Sequence, residues 1–210
     1  DDNGLKQFNN AVLGHTRLSI IDIVNGHQPM TNANGNACIT FNGEIYGFLE
    51  VKKKLSYDFL TNSDTEVLLA LYQQYGVEMF NKLQGMFAFG IWDDHKKLLI
   101  LARDRFGEKP LYYGWCAGAF IFGSELKALR KYPGFSGDID RNVLALYLRH
   151  MEVPDPFTIY QRIYKVQPGC MVSLDLDSAR NYPNGVTPHA PLSINGLSLS
   201  RWWSMYEVAE

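Results

Sequence analysis

The sequence predicts an α+β fold, with mainly antiparallel sheets stacked on each other and helices outside. Strand-length apolar runs follow one another through connections too short for crossovers, which makes their pairing antiparallel. Several of these runs, residues 86–92 above all, are apolar on both faces, whereas an antiparallel sheet usually leaves one face wet. Cover on both sides is therefore needed, and a second sheet on one side with helices on the other supplies it. Separate helical segments, one with a capping signature, provide that outer layer.

The 210 residues suffice for a proper core, and contents of 46% apolar and 20% charged residues are those of a globular protein. A net charge of −2 gives no electrostatic case for nucleic acid or an anionic membrane surface. No apolar run approaches the roughly 20 residues that a membrane span requires. Cys38, Cys116 and Cys170 are odd in number, far apart and without metal-ligand spacing. They read as reduced, buried, inert thiols of a cytoplasmic protein. Asp1-Asp2-Asn3-Gly4 opens the chain as if cut from something longer.

Taken in order, residues 11–24 are strand-like. Leu18 and Ile20 fall on one face, and Arg17 and Ser19 share the other with Ile21. Arg17 there needs a partner, either a structural acid or a ligand carboxylate gripped by two bonds. Residues 25–36 are rich in Asn, Gly and Pro and read as loop. Residues 37–41 form a strand that is expected to break at Asn42-Gly43, with helix-like alternation to about Leu55. At such a corner the Asn42 amide and the Gly43 N–H could converge on one point and hold a developing oxyanion. Ser63 and Glu66 have capping-box spacing, so a helix should start there, with Val67, Leu68, Leu71, Tyr72 and Tyr75 on its apolar stripe and Gly76 at its end. Asp64 in its first turn either complements the helix dipole or meets a ligand amine.

Residues 86–92 and 98–102 are a strand pair joined by a polar turn, followed by short strands at 111–115 and 119–123. The loop 103–109 alternates in charge and reads as self-paired. Helices are expected at 125–132 and at 142–149, the second capped by Asp140, and a last strand at 171–176. Residues 177–198 are polar and rich in Pro, Gly and Asn, like a linker. Trp202, Trp203 and Tyr206 after it are large aromatics that call for cover.

Together these stretches carry a resemblance. It rests on His15-Thr16-Arg17-Leu18-Ser19-Ile20-Ile21-Asp22, Phe41-Asn42-Gly43-Glu44-Ile45-Tyr46, Ser63-Asp64-Thr65-Glu66 and Leu83-Gln84-Gly85-Met86-Phe87-Ala88-Phe89. Arg103-Asp104-Arg105-Phe106-Gly107-Glu108-Lys109-Pro110-Leu111-Tyr112-Tyr113 completes it. In order from about residue 11 to about 175, the chain resembles the glutaminase domain of glutamine-hydrolysing asparagine synthetases, class II amidotransferases of the N-terminal-nucleophile hydrolase fold. Tyr147-Leu148-Arg149-His150, with Pro154, Pro156 and Thr158-Ile159-Tyr160, is similar to a bacterial branch associated with surface-polysaccharide loci.

The resemblance implies a four-layer αββα sandwich and L-glutamine as substrate. It implies that Arg17 clamps the α-carboxylate, with the backbone of Leu18, Ser19, Ile20 and Ile21 lining the site. Asn42 and Gly43 align with the oxyanion hole, and Glu44 and Asp64 with the acids that receive the α-amino group. It implies a domain at 1–176, with 177–210 leading into an absent synthetase domain that would hold ATP and Mg. The chain itself is expected to hold no metal or cofactor. A homodimer is a further implied partner. Two departures stand out. Gly47 occupies a place where the family usually has Asn, and the N-terminal nucleophilic cysteine, whose α-amine serves as base, is absent together with the Arg-His-Arg-Gly-Pro motif.

Rival readings are a class II amidotransferase with another acceptor, and a non-catalytic glutamine-binding or scaffolding module. Loss of a leading strand is expected to uncover faces of Phe87, Phe89 and Ile91. The segment by itself is expected to release no ammonia from glutamine. Ammonia release that Cys38→Ser abolishes would instead make Cys38 the nucleophile.

Overall fold

The computed structural model describes residues 2–176 and 185–208, so residues 177–184 of the expected linker lie outside the described residues. The chain divides into two compact units, Asp1–Ile100 and Leu101–Glu210.

In the first unit, β1 (Asp2–Gln7) and β2 (Val12–Arg17) form an antiparallel hairpin, with Asp2 opposite Arg17 and Gln7 opposite Val12. Strand β2 stops at Arg17, and residues 18–24 are loop rather than the expected strand. The short β3 (Met30–Thr31) and β5 (Gly85–Asp93) flank β4 (Ala37–Ile45), all antiparallel. Between β4 and β5 come α1 (Phe48–Lys52), α2 (Asp64–Tyr75) and a 3-10 helix, Gly76–Lys82. Phe87, Phe89 and Ile91 of β5 are buried, contrary to the expectation that they would be uncovered.

Helix α2 begins and ends where its sequence signals fall. The Ser63 hydroxyl accepts the Thr65 N–H, and the Gly76 N–H bonds back to the Tyr72 carbonyl. Glu66 departs from a simple capping box: its carboxylate accepts the N–H groups of Leu60 and Thr61, and so ties down the incoming loop. Every residue from Asp64 to Tyr72 is buried, so the helix is covered well beyond a single stripe. It packs on β3 and β4.

Strand β6 (Leu98–Arg103) carries the chain across the division. The second unit holds β7 (Tyr112–Cys116), β8 (Ala119–Gly123), α3 (Leu126–Leu129) and α4 (Arg141–His150). Then come β9 (Ile163–Lys165), β10 (Cys170–Asp175), β11 (Leu192–Ile194), β12 (Leu197–Arg201) and α5 (Met205–Val208). One sheet runs β8-β7-β9, with α3 against β8, and β12 pairs with β10 on one side and β11 on the other. The end of the polar stretch that reads as linker thus runs into strands β11 and β12. Its alternating Leu197 and Leu199 are buried, a period-two pattern that the surrounding polar composition masks. Asp140 caps α4 as expected, accepting from the N–H groups of Asn142 and Val143.

The charged loop 103–109 is tied together largely through its own backbone, and Arg103 also lies 3.7 Å from Asp155 Oδ2. The Arg103 guanidinium donates to the carbonyls of Gly107, Lys109 and Val166, and the buried Asp104 carboxylate accepts the N–H groups of Phe106, Glu108 and Lys109. Trp202 and Trp203 dock nearby, with Arg105 over the Trp202 ring and Phe106 edge-on to Trp203, while Tyr206 stays exposed.

A buried polar link joins α2 to the end of β5. The Tyr72 hydroxyl donates to Asp93 Oδ2 at 2.8 Å, and Lys96 supplies Asp93 with its N–H and its ammonium. Burial pushes the Asp93 carboxyl up, but the Lys96 N–H, the Tyr72 hydroxyl and the Lys96 charge outweigh it and hold the carboxyl below its ordinary range. Tyr72→Phe should cost about 1.5 kcal/mol at neutral pH, the worth of a bond to a charged group. A lowered folded pKa contributes stability above the unfolded value that is lost as pH falls through the folded one. Urea titrations should therefore show the deficit at pH 7 shrinking in acid.

Candidate active site

Strand β4 holds the centre of the candidate site. It does not break at Asn42-Gly43: the ladder with β5 continues unbroken from Ala37 opposite Asp93 to Ile45 opposite Gly85. An Asn-Gly pair makes a turn only where the chain must reverse, and here pairing on both sides of it overrides that tendency. Gly43 is nevertheless required. Its φ is +148°, and a Cβ there would stand 2.1 Å from the Met86 carbonyl oxygen. Across the ladder Gly85, with φ +144°, meets the Glu44 carbonyl at the same 2.1 Å. The two glycines let the strands close where side chains would hold them apart.

Backbone groups along an antiparallel strand alternate in direction. The Tyr46 N–H donates to Gln84 and the Asp94 N–H to the Asn36 carbonyl, so even-numbered residues of β4 bond towards β5. Odd-numbered residues face the other way. Ile39 lies opposite Met30 of β3. The Phe41 N–H donates to Gln28 Oε1 at 2.7 Å, and the Ile45 N–H to Asp64 Oδ2 at 3.1 Å. Gly43 stands between these two. Among the described residues, no side chain or loop carbonyl accepts its N–H.

Thr40, Asn42 and Glu44 share one face of β4, and the side chains become more exposed towards Glu44. On that face His15 of β2 bonds Thr40 Oγ1 at 2.9 Å. Burial and the nearby Arg17 charge hold the His15 imidazole below its ordinary pKa.

Asp64 sits at the first position of α2, 4% exposed. Burial pushes its carboxyl up, and the N–H groups of Ile45, Thr65 and its own residue offset this only in part. The negative charge of Glu44 adds to the rise. The bond to Ile45 therefore brings Asp64 and Glu44 to the same end of the Asn42-Gly43 segment.

Arg17 is buried, and its partners are neither an acid nor empty space. Its guanidinium donates to the carbonyls of Ile21 at 2.6 Å, Asp22 at 3.1 Å and Ile23 at 3.4 Å. Wrapping the chain around this cation is the physical reason that the strand ends at Arg17. Leu18 and Ile20, 75% and 77% exposed, are turned outward, with Ser19 and Ile21 half-buried between and beside them. Asp22 closes the loop. Its carboxylate accepts the Asn62 N–H at 2.7 Å and the Asn25 N–H at 3.1 Å, bonds that hold it below its ordinary pKa. The Arg17 loop is thereby fastened to the turn that precedes α2.

The structure thus ties all the expected positions into the first unit, with Asn42, Gly43, Glu44 and Asp64 at one end of β4. Sequence reasoning missed Gln28, His15 and Asp22 as organisers. Their side chains act on residues far along the chain, and only the motif containing His15 and Asp22 signals any of them. Gly47, in place of the family's Asn, has φ +66° and opens α1 without a side-chain cap. Among the described residues, no group of three or more His, Cys, Asp or Glu is placed to hold a metal, and no helix is long and apolar enough to cross a membrane.

Comparison with known proteins defines the class. A family model described as a glutamine amidotransferase domain matches residues 1–183, and the chain belongs to that family. It is 41% identical over 180 residues to asparagine synthetase [glutamine-hydrolyzing] 1 of Bacillus subtilis, covering 84% of this chain and 28% of the relative. It is 36% identical over 198 residues to a putative asparagine synthetase [glutamine-hydrolyzing] 2 of Methanocaldococcus jannaschii, covering 84% of this chain and 38% of the relative. The chain therefore spans roughly a third of the length of these relatives. Among solved structures, the glutamine phosphoribosylpyrophosphate amidotransferase of B. subtilis, complexed with ADP and GMP, matches 92% of this chain and 35% of its own. Its TM-score is 0.60 at 21% identity, a likeness of fold. The fold is the expected α+β class, with antiparallel sheets and helices in the manner of N-terminal-nucleophile hydrolases, and the domain is related to those of bacterial and archaeal glutamine-hydrolysing asparagine synthetases.

Gly43→Ala should be poorly tolerated, since it combines positive-φ strain with a clash against rigid backbone. The expected loss is about 3 kcal/mol in a urea titration. Gly35→Ala, also at positive φ but with nothing within 4 Å of its Cβ, should cost distinctly less.

Proposed function

We propose that this domain binds L-glutamine and, with an N-terminal cysteine preceding these residues, hydrolyses it to glutamate and ammonia. The observation that carries this reading is the Gly43 N–H, held between two fixed neighbours on β4 beside the Asn42 side chain. Attack of a thiolate on the side-chain amide carbon puts negative charge on the amide oxygen. Asn42 and Gly43 supply neutral donors for that charge. Collapse of the tetrahedral intermediate expels ammonia and leaves a thioester, which water hydrolyses to glutamate. Cys38, Cys116 and Cys170 are buried, and burial pushes the Cys38 thiol up to about 11, which supports an origin of the nucleophile elsewhere.

Substrate recognition in this reading divides by charge. Arg17 meets the α-carboxylate, with the backbone of Leu18, Ser19, Ile20 and Ile21 beside it, and Glu44 and Asp64 receive the α-ammonium. The ammonia serves the ATP- and Mg-dependent amidation of aspartate to asparagine in a synthetase domain of the same protein, working in the cytoplasm as a homodimer. The domain boundary near residue 176 belongs to this proposal, with β11 and β12 the first strands among the described residues beyond it.

Steady-state kinetics on the full-length protein test the assignment. Asn42→Ala should lower kcat with glutamine about 100- to 1,000-fold, because charge on the amide oxygen develops only in the transition state. Arg17→Ala should mainly raise KM for glutamine, because the α-carboxylate is charged throughout. Ammonia-dependent asparagine formation should survive both. An effect of Asn42→Ala on KM alone would remove the oxyanion role, and an unchanged KM in Arg17→Ala would remove the clamp.

A further inference from the structure

We propose that Gln28 is a positioning residue for the oxyanion site, its side-chain amide standing in for a strand residue opposite Phe41. The inference rests on the reading of Asn42 and Gly43 given above. Strand β3 pairs with β4 through Met30 opposite Ile39 and Thr31 opposite Cys38. Continuing this register brings Gln28 opposite Phe41, with Pro29 between, which has no N–H to donate. The side chain completes the ladder at that place. Its Oε1 accepts the Phe41 N–H at 2.7 Å, and its Nε2 donates to the Phe41 carbonyl at 3.1 Å. The pattern is that of a hydrogen-bonded antiparallel pair, made by an amide side chain in place of a peptide.

The consequence falls on Gly43. Its two neighbours on the same edge of β4 are both held by side chains, Phe41 by Gln28 and Ile45 by Asp64. With both neighbours fixed, the peptide between Asn42 and Gly43 has its plane set before any substrate arrives. Preorganisation of this kind gives an oxyanion donor its value, because no reorganisation is left for the moment of reaction. Gln28 also reaches Thr65 Oγ1 at 3.4 Å, so the same amide links the strand to the first turn of α2, where Asp64 stands. Gln28 is 7% exposed, and each end of its amide has a partner. A group is required here that accepts and donates at once. An amide meets that requirement, whereas an ionised carboxylate only accepts and would face the Phe41 carbonyl oxygen with like charge.

The test uses the full-length protein with Gln28→Met, which keeps the volume and removes both bonds. Gln28→Glu, which keeps the acceptor and loses the donor, serves if the first variant fails to fold. The expected result is a fall in kcat with glutamine of about 10- to 100-fold, the effect of a small misplacement of a catalytic group. KM should stay within about twofold, and ammonia-dependent synthesis should not change. Amide hydrogen exchange should quicken at Phe41 and not at Ile39, whose pairing with β3 is untouched. Asn42→Ala placed on Gln28→Met should cost less than on the wild type, since both act through one oxyanion.

An unchanged kcat in the folded Gln28 variant, with Asn42→Ala still impaired, would overturn the positioning role and leave the oxyanion reading standing. A rise in KM alone, or an equal loss of ammonia-dependent synthesis, would also overturn it and mark Gln28 as merely structural. If Asn42→Ala itself left kcat unchanged, the oxyanion reading would fail and this inference with it.

Discussion

The pairing of β4 with β5 is the constraint on which the candidate site depends. Nine residues of each strand face each other without a bulge, and this fixes which backbone groups of β4 are used by the ladder and which point away. The groups pointing away cannot be left bare in a buried setting. Short β3, the Gln28 amide just before it and the Asp64 carboxylate take Ile39, Phe41 and Ile45 in turn. Gly43 is the gap in this series. Two glycines, one on each strand, let the backbones close to the distance at which the gap has its shape.

The second organising interaction is the burial of Arg17. A guanidinium with little solvent needs several acceptors, and the nearest available ones are carbonyls of the chain that follows it. Taking them turns what would be a strand extension into a loop, and presents Leu18 and Ile20 to solvent. Asp22 then fastens that loop to Asn62, next to the start of α2. Cation, loop and helix start thus form one connected unit. A change at any of them is transmitted by hydrogen bonds rather than by packing alone.

A good part of this was legible in the residues. Ser63 and Gly76 mark the ends of α2, Asp140 marks the start of α4, and the apolar runs mark β5 to β8, because these signals act within a turn or a strand of their own position. The family was legible from several motifs in register, though not from composition or periodicity. Less was legible where a local preference was overridden. Asn42-Gly43 has the preference of a turn and lies within a ladder, and residues 197–201 have polar surroundings and form a strand on β10.

By itself the sequence determined the α+β class, the capped helices and the antiparallel strands, and its motifs nominated Arg17, Asn42, Gly43, Glu44 and Asp64 as candidate site residues. Each of these is carried by near neighbours in the chain or by a contiguous motif. Only the tertiary structure decided that Gln28 would complete the ladder opposite Phe41, that Asp64 would bond Ile45, and that Arg17 would hold its own loop. Those outcomes join groups between 4 and 19 positions apart, each through a buried side chain, Arg17, Gln28 or Asp64. A buried polar group takes whichever partner the packed chain brings within reach, and no pattern of neighbouring residues encodes that choice.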